Sequence, residues 1–336
     1  MPFSTIGDLR QHLLTSQSNT RLKTELSTLV EELTTGEYSD LTAHLGSSQT
    51  ALNGLDRQLA LLEKYEQVNT QTSHMLSTMQ SVLENVDTLR TGANETLLTI
   101  GGASSPSQMS NASDVALASF EATVSALNTR YGDRSLFGGT NIEDTPLADA
   151  EIMLTDLKAS LAGLSTAVDI SAAIDAWFDD AGGGFDTVGY QGDTTGFIEK
   201  PLDTNQNITV TARADDEALR ETFKSFAKGI VATESSLNLS IEESRDLQQE
   251  SAIGLLNSAE MIASFQSSLG FVESRVEEAI ARNTAEQTSF GIARNELVSA
   301  DPFETVTRLE SVQLQLETQY TLTARLSSLS LTEYLR

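Results

Sequence analysis

The chain of 336 residues contains no cysteine, three histidines, five prolines and one tryptophan. Without thiols there is no disulfide framework, no cysteine-ligated zinc or iron–sulfur centre and no cysteine nucleophile. His12, His44 and His74 are scattered over the first quarter and cannot build a multi-histidine metal site unaided. Positive charge is scarce as well: 21 Lys and Arg stand against 48 Asp and Glu, a formal net charge of −27. A phosphate backbone needs a basic face, so nucleic acid is not an expected partner. No apolar run approaches the ~20 residues that span a bilayer, so no membrane span is expected. The opening Met1-Pro2-Phe3-Ser4-Thr5 has neither a basic stretch nor an apolar block, and no cleaved secretory signal is expected.

Recognisable catalytic patterns are missing too. There is no G-x-S-x-G elbow and no His-Glu-x-x-His. Gly182-Gly183-Gly184 is followed by no Lys-Ser/Thr pair, so it is not a phosphate-cradling loop. Gly183-Gly184-Phe185-Asp186 is one degenerate fragment of a calcium repeat that needs stacked copies. Asp179-Asp180 could serve metal or acid/base chemistry, but beside a glycine run they read more simply as the solvated end of a helix. The histidines sit among Leu, Ala and Met at helical positions and read as helix-surface or seam residues. The expectation is a protein that is not an enzyme, with no cofactor and no metal.

What the sequence does hold is helix. Met75, Met79, Val82, Val86, Leu89 and Ala93 step by threes and fours, a narrow stripe of the coiled-coil kind. At the N-terminus Ile6, Leu9 and Leu13 form one apolar block, and Leu22, Leu26, Leu29, Val30 and Leu33 another. The polar run Thr15–Thr20 lies between them. Leu309, Val312, Leu316, Leu322, Leu326 and Leu329 make a similar C-terminal stripe. Asp301, Pro302 and Glu304 mark its entrance as a helix N-terminus. Ser240-Ile241-Glu242-Glu243 offers another box, before a proline-free run to Ala300. Breaks fall at Gly36, at Gly101–Pro106 and at Gly138-Gly139. Narrow terminal stripes are marginal alone, so the two ends should meet. Ile6, Leu9, Leu13, Leu22, Leu26, Leu29, Leu33, Leu309, Val312, Leu316, Leu322, Leu326 and Leu329 are the expected subunit-interface residues.

The middle is a different polypeptide. Residues 141–217 hold 16 acidic and three basic side chains, Trp177, and six glycines between Gly182 and Gly196. A short helix is expected over Ala172–Phe178, and strands at Gly196–Ile198 and Asn207–Ala212. The chain therefore divides into terminal helices (1–45 with 300–336), a helical core (46–140 with 218–299) and an acidic inserted outer domain (141–217), separable from the rest. The fold class is mainly α: long terminal helices and a coiled-coil bundle core with a small α+β, strand-rich insert.

Arg130-Tyr131 followed by Leu136-Phe137-Gly138-Gly139-Thr140 resembles the L-F-[GS]-G-T segment that ends the N-terminal helical core of the bacterial flagellin family. Glu32-Leu33-Thr34-Thr35-Gly36 is similar to the turn after its first helix, although the following Glu37–Leu45 departs from the family pattern. Gly189-Tyr190-Gln191-Gly192-Asp193 resembles a Y-x-G-[DN] element of the middle domain. The ending Ser330-Leu331-Thr332-Glu333-Tyr334-Leu335 is closer to the hook–filament junction branch than to filament flagellins. The resemblance implies a structural subunit of the flagellum, an adaptor layer joining hook to filament, with filament flagellin as the alternative. An enzyme on a helical scaffold using Asp179 and Asp180 is the remaining competitor. The resemblance also implies an extracellular location and, as partners, hook-associated proteins, flagellin, the flagellar type III export apparatus and an export chaperone. Helices would then form the inner tube wall and the insert the outer face.

Overall fold

The computed structural model describes residues 6–334, with side chains from residue 10 to residue 325. Nine α-helices lie among the described residues: α1 Ile6–Thr35, α2 Leu41–Leu45, α3 Gln49–Leu98, α4 Pro106–Leu127, α5 Ala150–Ser160, α6 Ala167–Asp179, α7 Glu217–Val231, α8 Ile241–Val298 and α9 Pro302–Tyr334. Two antiparallel hairpins complete the list: β1 Arg130–Tyr131 with β2 Arg134–Ser135, and β3 Ile198–Pro201 with β4 Asn207–Val210. The chain forms two compact units, residues 1–63 with 285–336 and residues 64–284, so α3 and α8 contribute to both.

The first unit holds the chain ends. Helix α1 runs unbroken through the polar stretch at 15–20, where Thr15 and Thr20 turn their hydroxyls onto the carbonyls of Gln11 and Ser16 at 2.9 and 3.0 Å. Such a bond satisfies the hydroxyl within the helix and lets the polar run stay helical. Past α1, the Ala300 amide donates to the Gly36 carbonyl at 2.9 Å and that of Tyr38 to Val298 at 2.9 Å. The end of α1 is thereby tied to the start of α9. The entrance to α9 is built as its sequence predicts: Asp301 Oδ1 accepts from the Phe303 amide at 2.8 Å, with Pro302 opening the helix.

The second unit has one continuous hydrophobic core. Helix α7 is its centre, burying Leu219, Phe223, Phe226 and Val231. It lies close enough to α8 for Ser251 to bond the Ser225 carbonyl at 2.6 Å, and to α4 for Ser113 to bond Gly229 at 2.6 Å. The stripe Met79, Val82, Val86 and Ala93 of α3 is core, as its spacing predicts. Residues 141–217 lie wholly in this unit, and Leu147, Met153, Leu157, Ile170, Trp177, Phe185, Leu202 and Ile208 join the same core. Helix α6 begins at Ala167, before the expected Ala172, because Thr166 caps it: its hydroxyl accepts from the Asp169 amide at 3.2 Å.

Candidate functional site

The terminal helices are the candidate site. Leu22 and Leu29 of α1 and Val312 and Leu316 of α9 form a small core of their own, with Leu26 and Leu309 packed at its edges. Because Gly36 meets Ala300, the two helices run antiparallel, so one stripe covers the other. Six of the thirteen expected interface residues are thus brought together inside one molecule. Leu13, Leu33 and Leu322 are 58%, 42% and 53% exposed. Ile6, Leu9, Leu326 and Leu329 lie outside the residues whose side chains are described.

The outward face of the pair was not marked by the stripe. Phe303 is 82% exposed and Leu314 65%, with Val306 beside Phe303 on the helix surface. Phe303, Val306, Glu310, Leu314 and Glu317 follow helical spacing, a second, sparser line opposite the paired one. On α1, Leu14 and Val30 are exposed as well. The signal for this face was in the sequence, but its interleaved glutamates hid it. Large exposed apolar groups gathered on two paired helices are what an association surface needs. At the base of the pair Arg294 binds Glu37 at 2.9 Å and Asp56 at 3.0 Å, holding the turn after α1 to α8 and α3.

Two further segments singled out in the sequence meet in the second unit. The Asp193 amide donates to the Gly138 carbonyl at 2.9 Å, and Thr140 Oγ1 bonds the Asp193 carboxylate. Three donors, Thr140 Oγ1 first and then the amide and hydroxyl of Thr195, hold Asp193 well below the usual carboxylate range. Gly139 has φ +64°, and a Cβ there would lie 2.7 Å from the Asp193 carbonyl, so only glycine fits. These residues form a chain crossing, and the geometry explains both patterns.

The acidic pair is occupied otherwise. Asp179 binds Lys224 at 2.7 Å, and one turn earlier Asp175 binds Lys228 at 2.9 Å. A ladder of acids on α6 therefore docks on the lysines of α7. Burial works against the charge of Lys224, but its bonds to Asp179 and Glu221 outweigh that and raise its pKa. Asp180 caps the C-terminus of α6, its amide donating to the Ala176 carbonyl at 3.1 Å. His12, His44 and His74 are exposed, and the His44 ring stacks on Tyr38. Among the described residues no group of three or more His, Asp or Glu is placed to hold a metal ion. Among them, too, no helix is long and apolar enough to cross a membrane.

Comparison with known proteins adds the following. No curated protein sequence matches the chain. Among solved structures, a flagellar hook-associated protein of Vibrio parahaemolyticus shares 11% identity at a TM-score of 0.43, over 72% of this chain and 97% of its own. FlgL of Bacillus cereus shares 14% at a TM-score of 0.36, over 72% and 99%. Residues 253–335 match the family model of the bacterial flagellin C-terminal helical region. Across the segment that holds α9 and most of α8, the chain is flagellin-like.

Proposed function

We propose that the protein is a structural subunit of the bacterial flagellum, an adaptor that joins hook to filament and acts outside the cell. The observation that carries this reading is the flagellin-type region 253–335, whose last helix pairs with α1 and leaves an apolar face uncovered. Its partners are then other flagellar subunits, namely hook-associated proteins and flagellin. Delivery by the type III export apparatus with a chaperone belongs to the same proposal. The junction role, as against bulk filament, rests on the Leu331–Leu335 ending and on charge. Each subunit carries −27, and like neighbours repel within the ~8 Å screening length of physiological salt. An open lattice needs a contact that repeats without limit; a single layer does not. No catalytic role is proposed, since Asp179 is committed to Lys224.

The test is the double substitution Phe303→Ser and Leu314→Ser. Both side chains are exposed, so monomer stability should move by no more than ~0.5 kcal/mol. Incorporation into flagella and swimming should both fall sharply. Normal assembly of this variant would contradict the proposed surface.

A further inference from the structure

The second unit contains a pair of buried amides that the assembly role does not use. Asn69 of α3 is fully buried and Asn283 of α8 is 3% exposed. Both donate from Nδ2 to one acceptor, the carbonyl of Leu202, at 2.9 and 3.1 Å. Leu202 directly follows β3 and is itself buried. Asn69 Oδ1 has no hydrogen-bond partner. An amide in an apolar seam costs free energy unless bonded, and here half of one amide is left unmet. Between them the two amides satisfy the buried Leu202 carbonyl, and in doing so they tie one acceptor to both helices.

The acceptor is held rigidly. The Leu202 amide donates to the Gln206 carbonyl at 2.8 Å, and Asp203 Oδ1 accepts from the amides of Asn205 and Gln206 at 2.7 and 2.8 Å. Four residue pairs fix the strand register, from Ile198 opposite Val210 to Pro201 opposite Asn207. From α8, Arg282 reaches Gln206 Oε1 at 2.9 Å.

Two polar links between α3 and α8 within the second unit are of a different kind. Gln80 bonds the backbone carbonyl of Gln266 at 2.9 Å, and Arg90 that of Leu255 at 2.8 Å. Helix carbonyls repeat every turn, so after a slip of one turn, ~5.4 Å, each donor meets an equivalent acceptor. Leu202 has no equivalent one turn away, and it binds both helices at one level.

We propose that the β3–β4 hairpin is a register lock: through Asn69 and Asn283 it selects one axial alignment of α3 against α8. Buried polar groups that fix register are the best-attested use of such costly residues.

The experiment uses the full chain, whose lack of cysteine makes labelling unambiguous. Spin labels at Ser77→Cys on α3 and Glu277→Cys on α8, both exposed and offset along the axis, report the alignment as a distance. The parent should give one narrow distance. Asn69→Leu with Asn283→Leu should keep the helical circular dichroism but add a population displaced by up to about 5 Å. A single distance identical to the parent's would overturn the lock. If the double variant does not fold, the single variants decide: broadening in either supports the lock, and an unchanged narrow distance in both overturns it.

Discussion

Replacing Leu29 by alanine is the sharpest probe of the terminal pair. Leu29 is 1% exposed, the most deeply buried of four side chains in a core separate from that of the second unit. The change removes three carbons, ~2.4 kcal/mol at ~0.8 kcal/mol each. The cavity adds to this, but a core this small has neighbours near solvent that can close over it. About 3 kcal/mol is therefore expected, within the ~2–5 kcal/mol typical of such truncations. At ~1.4 kcal/mol per tenfold, opening of the α1–α9 pair becomes about a hundredfold more frequent. Native-state hydrogen exchange reads this directly. Slowly exchanging amides around Leu22–Leu33 and Arg308–Leu316 should accelerate by that factor, while those of Phe223–Ile230 in α7 stay as they were. Equal acceleration in both groups, or none in either, would refute the reasoning.

Gly184→Ala probes the packing around the only tryptophan. A Cβ at Gly184 would lie 1.7 Å from Trp177 Nε1, so the ring must move and release its 2.8 Å bond to Asp156. A red-shifted Trp emission and a loss of ~1–3 kcal/mol are expected, and an unchanged emission spectrum would contradict this account. Glu250→Gln tests the ion cluster at Lys228. Burial opposes ionisation of Glu250, but bonds from Ser171 and Lys228 outweigh it and lower its pKa. Its stabilisation is therefore complete above the ordinary glutamate value of ~4.3 and fades as pH falls through the lowered native one. Thermal unfolding should show a larger penalty at pH 7 than at pH 3; equal penalties would remove the carboxylate from the explanation.

Much of this architecture is written in local patterns. Asp301-Pro302 and Ser240 name their helix starts because capping is settled within four residues. The Met79–Ala93 stripe is core because its spacing admits one buried face. The alternation at Asn207–Val210 is a strand for the same kind of reason. What could not be read is long-range. That Asn69 and Asn283 share one carbonyl, 133 and 81 positions away in the sequence, leaves no local trace. Nor does the composition shift at 141–217 reveal that its apolar residues complete the core around α7, while its acids meet Lys224 and Lys228. The two terminal stripes were legible as partners, but the exposed Phe303 and Leu314 were screened by Glu310 and Glu317.

Electron microscopy of the purified chain, alone and mixed with hook fragments, tests the adaptor claim most directly. Alone, at physiological salt, the protein should stay monomeric or form small oligomers. With hook fragments it should add one limited layer at their ends, and the Phe303→Ser, Leu314→Ser variant should not add. Long, uniform filaments of this chain alone, or hook ends left bare, would contradict the account.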